Sequence, residues 1–253
     1  MPGVEGAAPA GRCGRRAATF SGVPEEQQTN LVARWRLAEE LSPRRAELRR
    51  LADAGRLVIE RMTSTDAPHD VIERAAELLE EAARVLDGHG KVRRYEGFAE
   101  SANAGGAPHA HFDHSPVMGM ANPIAPPTRL EFGDTSVVLH VRFGSAYEGP
   151  PASVHGGILA ATFDEVLGMT QSLSGSPGMT GTLTIKYRKP TPLHRDLRFV
   201  GTLERVEGRK IFASAKCYDG DTVTAEAEGL FVSVDFQRFA EMMAARDGSP
   251  PPA

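Results

Sequence analysis

His155, Gly156 and Gly157 stand directly before an apolar run, residues 158–163, and Asp164 follows nine residues after the histidine. Glycine lets backbone N–H groups come close to a ligand, and the start of a helix favours negative charge. Such a start can hold an oxyanion. A carboxylate further along the same helix can act on a carbonyl substrate as a base or a nucleophile. At 3.6 residues per turn, Asp164 shares a face with Gly157, Ala160, Ala161, Gly168 and Gln171. Leu159, Thr162, Phe163, Val166, Met169, Thr170 and Leu173 form a larger apolar face suited to packing on a sheet. The small face admits close approach of another backbone, a subunit or a ligand. An acid at such a place is expected to be partly desolvated, with a raised pKa. Glu165 points about 100° from Asp164. That makes it a poor substitute, and leaves it as an auxiliary acid or a salt-bridge partner. On residue types alone, a solvated polar helix face stays open beside the catalytic reading.

These residues need a scaffold, and the following stretch reads as strands. In residues 179–189, Thr182, Thr184, Lys186 and Arg188 alternate with Leu183, Ile185 and Tyr187, the period of a half-buried strand that Pro190 and Pro192 end. Residues 197–206, 210–218 and 222–234 read as three more strands, joined by Glu207-Gly208-Arg209 and Asp219-Gly220-Asp221. Upstream, residues 130–132 and 137–143 form a hairpin around Gly133-Asp134. Tight turns imply an antiparallel meander, and the order of elements fits an α+β chain with a sheet wrapped around one helix.

The combination resembles the hotdog-fold acyl-CoA thioesterases, in the phenylacetate-pathway and THEM-type branch of the 4-hydroxybenzoyl-CoA thioesterase superfamily. The resemblance covers roughly residues 115–236. It rests on Tyr147-Glu148-Gly149-Pro150-Pro151, Val154-His155-Gly156-Gly157, Asp164, Thr180 seven residues before Tyr187, and Lys189-Pro190. It implies an antiparallel sheet around one long central helix, and hydrolysis of an acyl-CoA to free acid and coenzyme A. Asp164 is then the general base or nucleophile. Gly156 supplies a backbone N–H to the thioester oxygen, His155 helps hold the carbonyl, and Thr180 orients the acid or the water. Gly157 lies against the substrate. The resemblance further implies that the helix start and the acid with its Thr come from different subunits, so the site forms in a homodimer, commonly paired again into a homotetramer. Some relatives carry an asparagine or glutamine shortly before the histidine; the segment here is Gly149-Pro150-Pro151-Ala152-Ser153-Val154, so no role for such an amide carries over.

The chemistry fits these parts. A preorganised N–H contributes about 3 kcal/mol to a tetrahedral oxyanion, and a carboxylate in a dry crevice can take a proton from water. The thiolate departs readily, so no cofactor or metal is needed. The acyl group is expected to be a medium or long fatty chain, with an aryl-acetyl group as the alternative. Two rival functions remain: a non-catalytic acyl-CoA-binding module of the same fold, and a hotdog enoyl-CoA hydratase. Hydratases of this fold place Asp and His only a few residues apart, which the spacing here disfavours.

Lys186, Arg188, Lys189 and Arg195 cluster near the end of one strand, either as contacts to the phosphates of coenzyme A or as a solvated strand face. His140 and His194 read as structural. The net charge of −4 exerts no general pull on nucleic acid or membranes, and no stretch is apolar enough for a membrane span. Cys13 and Cys217 suggest no disulfide framework, which points to a reducing, cytoplasmic location.

Residues 1–26 read as a disordered tail without a secretory h-region, and residues 237–253 as a second tail. Residues 27–88 read as a helical extension with a break at Ser42-Pro43, and its many Arg and Glu residues as solvated faces. The extension is expected to pack on the catalytic domain, residues 129–236, or on a neighbouring subunit. Residues 89–128 form an irregular connection whose His109, His111, Asp113 and His114 only superficially resemble metal ligands; Met118 and Met120 follow as substrate contacts or core.

Overall fold

The computed structural model describes residues 42–89, 113–176 and 178–233. The two expected tails, residues 27–41 and the pair His109 and His111 lie outside them. Among the described residues two helices come first, α1 (Pro43–Thr63) and α2 (His69–Asp87). The hairpin β1 (Thr128–Phe132) and β2 (Ser136–Val141) follows, then the central helix α3 (Gly156–Ser172). Four strands follow: β3 (Gly178–Tyr187), β4 (Leu197–Glu207), β5 (Lys210–Asp219) and β6 (Thr222–Ser233). All pairings are antiparallel, in the order β1-β2-β4-β5-β6-β3.

This order corrects the expected meander. β4, β5 and β6 do follow one another through tight turns, with Gly208 and Gly220 at φ 58° and 57°, where glycine avoids the Cβ clash. β3 does not pair with β4. It crosses to the far side of the sheet and pairs with β6. The reason lies upstream. β2 already occupies the free edge of β4, so the chain leaving α3 finds its partner only at β6.

The curved sheet closes on the apolar face of α3. Leu159, Phe163, Val166, Leu167 and Met169 are buried there, and the Phe163 ring meets Phe199 of β4 edge-on at 5.0 Å between centroids. Gly201 of β4 lets the helix approach closely, because a Cβ there would run into the Thr170 hydroxyl and lie 3.1 Å from Val166. The apolar stripe read from the sequence is thus the helix face that the sheet covers.

α1 packs on the core through its polar residues. Ser42 caps it, its hydroxyl accepting from the Arg45 N–H, with Pro43 opening the helix as an N-terminal Pro should. On the inward face, Asp113 receives both Arg45 and Arg49. Arg56 donates to the carbonyls of Gly119, Met120, Asn122 and Ala125. Glu60 accepts from the Ser145 N–H at 2.8 Å and its hydroxyl at 2.7 Å, which holds its carboxyl below the usual range. The solvated-face reading therefore fails for Arg45, Arg49 and Arg56. Helical periodicity reports an angle around the axis. It does not report that a loop with outward-facing carbonyls sits opposite.

α2 differs. Every residue of it is exposed, including Val71, Ile72, Leu78, Leu79, Val85 and Leu86. Of the expected helical extension, α1 packs on the sheet domain, whereas α2 buries no residue against the described residues. None of the helices among the described residues is long and apolar enough to cross a membrane.

Candidate active site

The helix start is a constructed turn. His155 is the N-cap of α3, and its Nδ1 accepts the Gly157 N–H at 3.0 Å. With Nδ1 accepting, the neutral ring carries its proton on Nε2. The Gly157 N–H is therefore spent inside the protein. The Gly156 N–H, one of the orphan donors of a first helical turn, has no partner among the described residues.

The loop before it is held from both sides. The Glu148 carboxylate accepts the Ala152 N–H at 2.6 Å, and the backbone N–H groups of Val154 and Leu193 donate to Thr191 and Ala152 carbonyls. Ala152 adopts φ 56°, a left-handed conformation that costs a non-glycine residue about 1–2 kcal/mol. A Cβ on Gly149 would stand 2.7 Å from His155 Cα. The Glu-Gly-Pro-Pro segment thus sets where the histidine and the open N–H point.

Tyr187 completes the helix start. Its hydroxyl donates to the Gly156 carbonyl at 2.9 Å, tying the end of β3 to the first turn of α3. The sequence marks Tyr187 as part of a motif without assigning this contact. Replacing Tyr187 with Phe removes one net hydrogen bond, about 1 kcal/mol, and loosens the turn. The expected result is a severalfold fall in kcat with an unchanged far-ultraviolet circular dichroism spectrum; full kcat would deny the turn any dependence on this bond.

Asp164 lies two turns along α3. The Thr180 hydroxyl donates to its carboxylate at 3.0 Å, from the irregular position between Thr180 and Thr182 in β3. The expected pairing of Asp164 with Thr180 is therefore present. The expected desolvation is not: within one chain Asp164 is exposed. Burial falls on its neighbour. Glu165, half-buried against Ser115, is pushed up to about 7 by burial first and then by the charge of Asp164. The small face leaves Asp164 uncovered, whereas the 113–120 loop closes over Glu165.

That shift has a sign. Glu165 in the folded chain keeps its proton where the unfolded chain has lost it, so stability falls as pH rises from the ordinary value of 4.5 toward 7. Glu165→Gln should melt above the wild type at pH 8, with the difference closing by pH 5. Parallel melting curves across that range would contradict this assignment.

The basic cluster divides. Lys186 faces Glu228 at 3.6 Å, Arg188 pairs with Glu226, and Arg195 with Asp219 at 3.2 Å. Lys189 is exposed, with no ion-pair partner among the described residues. Three of the four cations read as possible phosphate contacts are thus engaged on the sheet. His140 lies 3.2 Å from Glu131, and His194 meets the Ser145 hydroxyl at 3.2 Å, as structural residues would. Asp113 is occupied by arginines, and Met118 is buried in the core. Burial pushes the Cys217 thiol up to about 12, which makes it a poor nucleophile.

The chain is similar to known proteins in sequence and in fold. A family model described as the thioesterase superfamily matches residues 152–226. The acyl-coenzyme A thioesterase THEM4 of Bos taurus is 36% identical over 94 residues, which make up 36% of this chain and 38% of the relative. The acyl-coenzyme A thioesterase THEM5 of Homo sapiens is 33% identical over 96 residues, 37% of this chain and 39% of its own. The chain thus spans well under half the length of these curated relatives. A crystal structure of a thioesterase superfamily protein superposes with a TM-score of 0.65 at 36% identity, covering 74% of this chain and 90% of that one. With its antiparallel sheet folded around one central helix, this chain belongs to the thioesterase superfamily.

Proposed function

We propose that the protein is an acyl-CoA thioesterase, hydrolysing the thioester to free acid and coenzyme A, with residues 129–236 as the catalytic unit. The observation that carries this reading is the Asp164–Thr180 hydrogen bond on the open, small-residue face of α3. It is supported by the curated relatives named acyl-coenzyme A thioesterase.

The active assembly is a homodimer. Eight residues of helix at 1.5 Å each separate Gly156 from Asp164 by about 12 Å, too far for one carbonyl to reach both. Among the described strands β3 pairs with β6 alone. Unpaired strand edges recruit another strand, and two β3 edges side by side bring the helix start of one subunit toward the acid of the other. The small residues Ala160, Ala161 and Gly168 leave room for that approach.

In the resulting site, Asp164 takes a proton from water as the water oxygen attacks the thioester carbon. Thr180 keeps the carboxylate aimed. The oxyanion that forms is held by the N–H of Gly156 of the partner subunit, beside the Nε2–H of His155 of the partner subunit. The C–S bond then breaks, and the thiolate leaves as coenzyme A. Asp164 acting as a nucleophile gives the same products through an anhydride. Gly157 lines the approach to the carbonyl. Lys189 is the cation free to meet a coenzyme A phosphate, with Lys186 and Arg188 beside it.

The buried free thiol of Cys217 accords with a reducing, cytoplasmic compartment. The test is free-thiol release from acetyl-, octanoyl-, palmitoyl- and phenylacetyl-CoA by the full chain. Release from the medium and long chains is expected. Tight binding across the panel with no release would replace the enzyme with a binding module.

A further inference from the structure

Hydrogen bonds connect α1 to the start of α3 by two routes. The first begins at Arg56, whose side chain is only 10% exposed. It donates to the carbonyls of Gly119 and Met120 at 2.8 and 3.0 Å, and to those of Asn122 and Ala125 at 3.0 and 2.7 Å. Carbonyls converging on one planar guanidinium fix the backbone between residues 119 and 125. A Cβ on Gly55 would stand 2.8 Å from Pro123 Cβ, so the helix backbone itself lies close to this segment. The Ile124 carbonyl, inside the segment, accepts the Tyr147 hydroxyl at 2.9 Å.

The second route begins at Glu60. Its carboxylate takes the N–H and the hydroxyl of Ser145, the first residue of the short 3-10 turn Ser145–Tyr147. A Cβ on Gly144 would run into that carboxylate, so the glycine is what admits Glu60. The Gly144 carbonyl in turn accepts the Tyr147 N–H at 3.2 Å.

Both routes end on Tyr147. Its ring meets Phe143 edge-on at 5.5 Å between centroids. Burial pushes its phenol up to about 12, so the hydroxyl stays a donor throughout the neutral range. Its backbone carbonyl accepts the His155 N–H at 2.9 Å, and His155 Nδ1 takes the Gly157 N–H. Where Tyr147 sits therefore sets where His155 Nε2 and the open Gly156 N–H point. Every group of the two routes before His155 lies outside residues 152–226, the stretch that the superfamily model matches.

We infer that Tyr147 is a positioning residue for thioester hydrolysis, through which α1 aims the helix-start turn at the substrate carbonyl. The inference rests on the roles proposed for His155 and Gly156. Aim matters here because a displacement of about 1 Å can cost about a hundredfold in rate. Loss of the Tyr147 hydroxyl alone moves the turn by less, so a fall of about tenfold in kcat is expected.

Tyr147→Phe in the full chain keeps the ring against Phe143 and deletes the donor. Amide exchange read by mass spectrometry should rise about fivefold in peptides covering residues 153–157, and stay unchanged in those covering residues 160–170. With octanoyl-CoA, kcat should fall about tenfold while KM changes by less than about twofold. A double-mutant cycle separates transmission from packing. Arg56→Lys puts a single ammonium where a fork gathers the carbonyls. It should lower kcat severalfold in the wild-type background and no further in Tyr147→Phe, while lowering the melting temperature equally in both. Unchanged exchange at residues 153–157 overturns the inference. So does wild-type kcat in Tyr147→Phe, and so do kcat losses that multiply in the double variant. Raised exchange in Tyr147→Phe, with no thiol released even by the wild type, would overturn the thioesterase reading while still supporting the hold of α1 on the turn.

Discussion

Asp164→Asn should lower the rate of thiol release about a thousandfold while the melting temperature and the oligomer size stay at wild-type values. A positioned general base contributes about 10²–10⁴ in rate. Asn keeps the shape and accepts the Thr180 hydrogen bond, but cannot take a proton from water. Because Asp164 is exposed within the chain, the substitution leaves no buried charge unpaired and carries little stability cost. The two mechanisms part at the intermediate. A nucleophilic Asp164 whose anhydride is opened by water at the aspartyl carbon retains one oxygen from labelled water after a single turnover, detectable by mass spectrometry, and such label would exclude a purely general-base role. Thr180→Val should act through the same carboxylate with a smaller loss, about tenfold, because Asp164 keeps its charge and loses only its aim. Wild-type turnover in Asp164→Asn would remove this residue from the mechanism.

The largest stability effect is expected where α1 meets the segment that begins at Asp113. Asp113 is only 5% exposed at its side chain and is the shared partner of Arg45 and Arg49, whose side chains are 14% and 29% exposed. Truncating one member of a buried ionic cluster costs about 3–5 kcal/mol. The partial exposure of Arg49 softens this, so Asp113→Ala should cost about 3 kcal/mol. For a domain of this size that amounts to roughly 6–12 °C in melting temperature. The loss should be local: α1 should become sensitive to trypsin at Arg49 and Arg50 while the sheet keeps its protection. Asp113→Asn should recover little, since a neutral amide cannot hold two guanidinium groups. A melting temperature within about a degree of wild type would mean that α1 is anchored by Arg56 and Glu60 alone.

These two sites differ in how far the sequence discloses them. Asp164 and Thr180 stand at motif spacings, and a helix followed by an alternating strand is enough to expect their meeting. The strands were legible because Leu183 and Ile185 alternate with polar neighbours, and the turns because Gly208 and Gly220 sit where φ is positive. Asp113 gave no such signal. It lies in a Gly- and Pro-rich connection among histidines, and its partners are more than sixty residues earlier. The placement of β3 was hidden for a similar reason: alternation identifies a strand and one buried face, but not its neighbour. The burial of Glu165 in place of Asp164 depends on which helix face the 113–120 loop covers, a tertiary fact absent from any helical wheel.

The pairing of β3 with β6 also orders events in time. During synthesis β3 emerges directly after α3, but the strand it needs begins only at Thr222. At ribosomal speeds of about 5–20 residues per second, the nascent chain spends seconds with Thr180 attached to no sheet, and Asp164 without its hydrogen-bond partner. The non-local pairing makes this step slow in refolding too. Competence for the proposed chemistry therefore arrives with β6, and a chain cut short before it carries every catalytic side chain but no framework to aim them.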